Sequence, residues 1–254
     1  VGESGCGKSV SMLSIIDLLP PAATIEEGSI KFKGQDLRKM PRKELKKIRG
    51  NKIGMIFQDP MSSLNPVVKI GVQMSETLIH HRKMSKKEAY VRCAELLDSV
   101  GISNSRERLY EYPHQLSGGM RQRVMIGMAL ACDPEIIIAD EPTTALDVTI
   151  QAQIVEVLHG IRSRLSTSII LITHDLGLIA GMVDRIIVMY AGFIIEEALV
   201  DNIYKDPRHP YTHGLLNSIP KLRGALSRRL NSIEGAPPDL TEKPLGCPFY
   251  PRCS

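Results

Sequence analysis

The stretch "GESGCGKS", Gly2 to Ser9, decides the fold. It fits G-x-x-x-x-G-K-S/T in full, between what reads as a strand end at Val1–Gly2 and a helical run from Ser9 to Leu19. Glycines at those spacings let successive backbone N–H groups point into one concavity that holds a phosphate. The helix that follows adds the positive end of its dipole. Lys8 then reaches the β- and γ-phosphates, and the Ser9 hydroxyl is placed to ligate Mg2+. Gly2, Glu3, Ser4, Gly5, Cys6, Gly7, Lys8 and Ser9 are therefore the first expected nucleotide contacts. A plain glycine-rich turn is the bland alternative, and the strand–loop–helix context speaks against it.

A phosphate loop calls for an acid at the end of a buried strand, and "IIIADE" (Ile136–Glu141) supplies two. Asp140 is expected to hold Mg2+ through water, and Glu141 to polarise the water that attacks the γ-phosphate. "IILITHD" repeats the design on a neighbouring strand. His174 at its C-terminal edge falls where open α/β sheets bind ligands. A lone histidine is more often structural, but this placement favours function. His80, His81, His114, His159, His209 and His213 have no convergent setting and read mostly as surface or packing residues.

A second anion site is written at "LSGGMRQRV" (Leu116–Val124), where Ser117, Gly118 and Gly119 lie directly ahead of a helix read from Met120 to Ala131. Such a helix start offers N–H groups to a negative charge. Two cradles in one chain raise the question of what the second one holds.

The remaining sequence sets bounds. At 254 residues, 43% apolar and 24% charged, the chain can bury a core of one large domain or two modest ones. A net charge of +4 does not require nucleic acid or an anionic membrane as partner. The longest apolar run, Ile186–Ile195, is about half of the ~20 residues a membrane helix needs, and Ala191-Gly192 within it reads as a hairpin turn. Five scattered cysteines argue for a reducing compartment over a disulfide scaffold. The chain begins at Val1 and stops just after Cys253, and is read as a piece of a longer protein.

Strands are expected at Lys52–Gln58, Ile136–Asp140 and Ser168–His174, with helices between them. That alternation defines an α/β core with a parallel sheet. Gly28–Leu37 reads as a short strand pair, Leu37–Gly50 as a basic, solvated helical face, and Asp59–Pro66 as a loop. Val67–Leu109 reads as a helical block. Ile150–Leu165 and Leu176–Val183 read as helices, Arg185–Glu197 as a hairpin, and the tail from Asp201 as mostly irregular.

Gly2–Ser9, Gln58, "LSGG" (Leu116–Gly119), "IIIADE", "ALD" (Ala145–Asp147) and His174 follow one another in the order found in ATP-binding-cassette (ABC) ATPases. They resemble Walker A, the Q-loop, the ABC signature, Walker B, the D-loop and the H-switch. The resemblance implies a RecA-like P-loop NTPase fold over 1–200, with a helical subdomain at 67–119 and a C-terminal extension at 201–254. It implies two cassettes packed head to tail, with Ser117, Gly118, Gly119 and Asp147 acting in trans on the partner's ATP. Lys8, Gln58, Glu141 and His174 are the implied catalytic set, and Ser9, Gln58 and Asp140 the implied Mg2+ ligands.

Finer features resemble the ATPase subunits of oligopeptide, dipeptide and nickel importers. These are "FQDPMSSLNP" (Phe57–Pro66), Met120 after the signature, "VMYAG" (Val188–Gly192), "HPYTHGLL" (His209–Leu216) and "GCPFYPRC" (Gly246–Cys253). That likeness implies a second cassette, two permease subunits gripped by the helical block, and an extracytoplasmic binding protein, with this subunit peripheral on the cytoplasmic face of the membrane. It also implies a 4Fe–4S cluster in the complete protein, Cys247 and Cys253 matching its first two positions; ordinary thiols in a proline-bounded loop are the alternative. Cys93 and Cys132 read as buried small hydrophobes. The strands that precede Walker A in the family, and the aromatic residue that stacks on adenine, have no counterpart in this sequence. Weakened nucleotide binding and an incomplete sheet are expected from that.

A chromosome-maintenance ATPase would carry a coiled-coil or DNA-binding insertion between the Q-loop and the signature. Positions 59–116, 58 residues, leave room for a compact helical unit only. A non-enzymatic scaffold is argued against by intact Lys8, Asp140, Glu141 and His174. Peptides are the expected solute, nickel chelates the alternative, and no nucleic-acid partner is expected.

Overall fold

The computed structural model describes residues 1–144, 146–164, 167–219, 233–241 and 244–253. In chain order the elements are α1 (Lys8–Ile15), β1 (Lys31–Phe32), β2 (Gln35–Asp36), α2 (Arg42–Ile48), β3 (Ile53–Ile56), α3 (Pro60–Ser63), α4 (Ile70–Arg82), α5 (Lys86–Ser99) and α6 (Ser105–Arg108). They continue with α7 (Gly118–Leu130), β4 (Ile136–Asp140), α8 (Val148–Arg164), β5 (Ser168–Ile172), α9 (Leu176–Ile179), β6 (Arg185–Tyr190), β7 (Phe193–Leu199), α10 (Val200–Lys205) and α11 (Pro210–Asn217). They form two compact units, one of Met12–Ile172 and one joining Val1–Ser11 to Thr173–Ser254.

In the Met12–Ile172 unit, β3, β4 and β5 pair side by side and all parallel, Ile53 opposite Ile136 and Ile136 opposite Ser168. Parallel pairing needs a crossover between strands, and the helices between β3 and β4 and between β4 and β5 provide it. Ile53, Ile56, Ile137 and Ile138 are almost wholly buried, as a continuous apolar strand run requires. Each such side chain contributes roughly 1.5–3 kcal/mol over an exposed one. Ile16, Leu37, Leu45, Ile53 and Ile138 close one core, so the basic Leu37–Gly50 segment is half-solvated, anchored by Leu37 and Leu45.

The helical block between the Q-loop and the signature forms as α4 and α5, closed by α7. Ile70, Met74 and Leu78 of α4 and Cys93, Leu96 and Leu97 of α5 are buried, and a Cβ on Gly127 of α7 would lie 3.2 Å from the Met74 Cε. Ser85 and Glu88 form a reciprocal capping box at the start of α5. Cys93 and Cys132 are buried as expected, and burial pushes the Cys93 thiol up to about 12.

Two expectations are corrected. Asp59–Pro66 is not all loop: the Asp59 carboxylate accepts the Met61 and Ser62 N–H groups and starts α3, with Pro60 in its first turn. Helix α7 begins at Gly118, so both signature glycines lie inside its first turn. Within the mostly irregular tail, Asp201–Asn217 holds most of α10 and all of α11, and Tyr250–Arg252 forms a 3-10 turn. Among the described residues, no helix is long and apolar enough to cross a membrane.

Candidate nucleotide site

In the Val1–Ser11 and Thr173–Ser254 unit, the Gly2–Ser9 loop winds into the first turn of α1. Gly2 (φ 148°), Gly5 (φ 80°) and Gly7 (φ 95°) all have positive φ. Gly2 is the tightest, since a Cβ there would lie 2.1 Å from the Met189 carbonyl oxygen and 2.9 Å from the Cys6 sulfur. The buried Lys8 ammonium donates to the Gly2 and Glu3 carbonyls at 2.8 and 2.7 Å, so it braces the loop that surrounds it. The loop lies against β6 and its turn: the Met189 N–H donates to Val1 at 2.8 Å, and the Gly192 N–H to Cys6 at 3.1 Å.

The same loop is held by residues from the far end of the chain. The Glu3 N–H donates to the Tyr211 hydroxyl at 2.9 Å. The Glu3 carboxylate accepts both ends of the Arg252 guanidinium, at 2.7 and 3.1 Å. Tyr211 and Arg252 carried no expected role from sequence; their only signal was membership of the "HPYTHGLL" and "GCPFYPRC" blocks. His174 lies two residues beyond β5, not within it, and is exposed; Asp175 beside it caps α9. Cys247 and Cys253 are exposed, the Cys247 sulfur 3.8 Å from the His209 ring nitrogen Nε2.

In the Met12–Ile172 unit, the sheet brings the expected catalytic carboxylate and the Q-loop glutamine together. β4 ends at buried Asp140, and Glu141 follows with φ 43°, a left-handed backbone that a non-glycine residue seldom takes. Its N–H donates to Ile172 at 3.0 Å, which fixes the turn to the end of β5. The Glu141 carboxylate accepts the Gln58 amide at 3.2 Å and the Thr144 hydroxyl at 2.9 Å. Thr144 is a contact that sequence reasoning missed. Strain of this kind at a strand terminus is a mark of functional sites.

In the same unit Ser117 caps α7 by accepting the Met120 N–H at 3.3 Å. Gly119 is buried, and a Cβ there would lie 2.9 Å from Ile150 Cγ2. Asp147 accepts the Ile150 N–H at 3.0 Å, just ahead of α8. Ala145, the first residue of the expected D-loop, lies outside the described residues.

Comparison with known proteins gives these features a family. The ABC transporter family matches residues 1–144, and the oligopeptide/dipeptide transporter C-terminal region matches 195–254. The chain belongs to the ABC transporter family and is an ABC ATPase. It is 54% identical over 255 residues to the oligopeptide transport ATP-binding protein OppD of Bacillus subtilis, spanning all of this chain and 71% of that protein. It is 55% identical to the dipeptide transport ATP-binding protein DppD of the same organism, spanning all of this chain and 76% of that one. A solved dimer of an ATP-binding cassette in a post-hydrolysis state, bound to ADP and Pi, superposes with TM-score 0.68 at 32% identity, covering 78% of this chain and 83% of the other.

Proposed function

We propose that the chain is the ATP-hydrolysing subunit of an importer of di- or oligopeptides, working in a pair of cassettes at the cytoplasmic face of a membrane. The observation that carries the chemistry is the Glu141 carboxylate, fixed at the end of the central strand by two neutral donors, Gln58 and Thr144. These donors orient the carboxylate, and in this reading it holds and polarises a water for attack on the γ-phosphate. Lys8 and the Gly2–Ser9 backbone bind the phosphates, and His174 is assigned to the γ-phosphate end.

Ser9, Gln58 and Asp140 offer a hydroxyl, an amide oxygen and a carboxylate, a hard-oxygen set that fits Mg2+. Mg2+ bound there would neutralise phosphate charge. Gln58 gives its amide nitrogen to Glu141, which leaves its oxygen for a ligand. Cys247 and Cys253 supply two thiolates where a 4Fe–4S cluster takes four. Among the described residues no group of three or more His, Cys, Asp or Glu could hold a metal, so no step is assigned to a cluster.

Ser117, Gly118 and Gly119 are assigned to the ATP of a second cassette. The dimeric cassette neighbour and the transport names of the relatives support a partner cassette and permeases, and the same names favour peptides over nickel chelates. An extracytoplasmic binding protein completes the complex in this reading. Glu141→Gln is expected to lower ATP hydrolysis by about a hundredfold or more and to accumulate an ATP-bound pair on size-exclusion chromatography. Undiminished hydrolysis would remove Glu141 from its role.

A further inference from the structure

The Arg252 guanidinium is fully committed to protein acceptors. Its side chain is 5% exposed. Nη1 donates to Glu3 Oε2 at 2.7 Å and to the Tyr190 hydroxyl at 3.2 Å. Nη2 donates to Glu3 Oε1 at 3.1 Å and to the Ile233 carbonyl at 3.3 Å. Nε donates to the Glu234 carbonyl at 2.8 Å. A guanidinium has five N–H donors in a rigid fork, and each has an acceptor here.

The surroundings fix that fork. Tyr190, Tyr211 and Phe249 pack ring on ring with centroids 4.7 to 5.3 Å apart, and the Arg252 Cζ lies 5.7 Å from the Tyr190 centroid. Tyr190 and Tyr211 are about 1% or less exposed and Phe249 4%. Pro237, Pro238 and Leu240 line a small cleft together with Glu3, Gly5 and Cys6 of the loop. The C-terminal extension thus meets the outer side of the phosphate loop. It takes hold of Glu3 from two directions, through the main chain by Tyr211 and through the side chain by Arg252.

A phosphate loop works by presenting preset N–H groups, and any freedom it has in the empty state must be lost on binding. Glu3 is the residue next to Gly2, whose carbonyl the catalytic lysine also touches. A bidentate, charge-assisted pair at that point restricts the loop more than a neutral contact would. The Glu3 carboxylate is committed to Arg252 and its N–H to Tyr211.

We propose that Arg252, with Tyr211, is a positioning device through which the C-terminal extension sets the affinity of the phosphate loop for ATP. This rests on the reading of Gly2–Ser9 as the phosphate loop, and Lys8→Ala tests that reading separately. In steady-state assays with MgATP on the assembled importer, Arg252→Met should raise the KM for ATP by about tenfold with kcat within about twofold. Arg252→Lys, which keeps the charge but loses the fork, should fall between. Glu3→Gln should raise KM as well, and the Glu3→Gln/Arg252→Met double variant should be no worse than Arg252→Met alone. A merely structural role would lower the active fraction, and with it kcat, at unchanged KM.

If Arg252→Met does not fold, Glu3→Gln at a partly exposed carboxylate carries the test by the same KM readout. Unchanged KM in Glu3→Gln and in any folded Arg252 variant, with Lys8→Ala abolishing ATP binding, overturns the positioning role. Unchanged ATP binding in Lys8→Ala overturns the phosphate-loop reading on which it rests.

Discussion

Two regions of this molecule offer glycines and a helix N-terminus to an anion, and they are held in opposite ways. The Leu116–Gly119 turn is built locally: Ser117 caps its own helix, and the packing on Gly119 comes from Ile150, some thirty residues on. The Gly2–Ser9 loop is built from afar, with a wall at Met189, a turn at Gly192, and anchors at Tyr211 and Arg252. A local cradle forms with its helix. A cradle with remote anchors takes part of its rigidity from the C-terminal extension.

The largest expected effect strikes the remote cradle at its tightest point. Gly2→Ala would place a Cβ 2.1 Å from a backbone carbonyl at φ 148°, and neither atom can swing aside. Backbone strain of this kind costs about 1–3 kcal/mol before the clash is counted. Loss of ATP binding by roughly ten- to a hundredfold or more is therefore expected in an equilibrium titration. Binding within twofold of the native protein would mean that the loop has slack that its contacts do not show.

The same contrast explains what could be read from the sequence. β3, β4 and β5 were legible because buried parallel strands are uninterrupted apolar runs. The Gly2–Ser9 loop and Asp140-Glu141 were legible because their chemistry is carried by neighbours in sequence. Asp59-Pro60 read as a loop because Asp and Pro mark turns as well as helix starts, and only the Asp59 hydrogen bonds to Met61 and Ser62 separate the two. The contact of Thr144 with Glu141 spans only three residues and is still invisible in the sequence, since a threonine there carries no pattern. Arg252 was out of reach altogether: its partner Glu3 lies 249 positions earlier, and no periodicity spans that distance. α11 does not stand out in the sequence because Pro210 and Gly214 mask a helix that a histidine caps.

Gly119→Ala sharpens the comparison from the other side. The new Cβ would lie 2.9 Å from Ile150 Cγ2, a side chain of α8 that has some room to give. Overpacking costs about 1–3 kcal/mol, offset by up to roughly 1 kcal/mol from the better helix propensity of alanine. A thermal midpoint lower by a few degrees is expected, with ATP affinity of the Gly2–Ser9 loop unchanged. What should fail is the ATP-dependent pairing seen in the Glu141→Gln background, because Gly119 belongs to the surface assigned to the partner's nucleotide. Weakened ATP binding by the single chain together with intact pairing would reverse the assignment of the two cradles.

The smallest effect concerns acid, and it too should fall on the remote cradle alone. His209 caps α11: its Nδ1 accepts the Tyr211 N–H at 3.1 Å, which leaves Nε2 facing the Cys247 sulfur. Burial holds its pKa below the ordinary 6.5, against the opposing pull of the Glu196 carboxylate, which accepts the Arg208 and His209 N–H groups. A histidine depressed in the folded state binds its proton more readily when unfolded, so its contribution is fully present above pH 6.5 and is lost as pH falls through the folded value. Protonation removes the acceptor from Nδ1, loosens the first turn of α11 and so loosens Tyr211, which accepts the Glu3 N–H. ATP affinity should therefore decline modestly as pH falls below 6.5. His209→Asn keeps a capping oxygen without a titrating group, and it should flatten that decline while leaving affinity at pH 7.5 unchanged. An equally steep decline in His209→Asn would place the acid sensitivity elsewhere and free the phosphate loop from this helix.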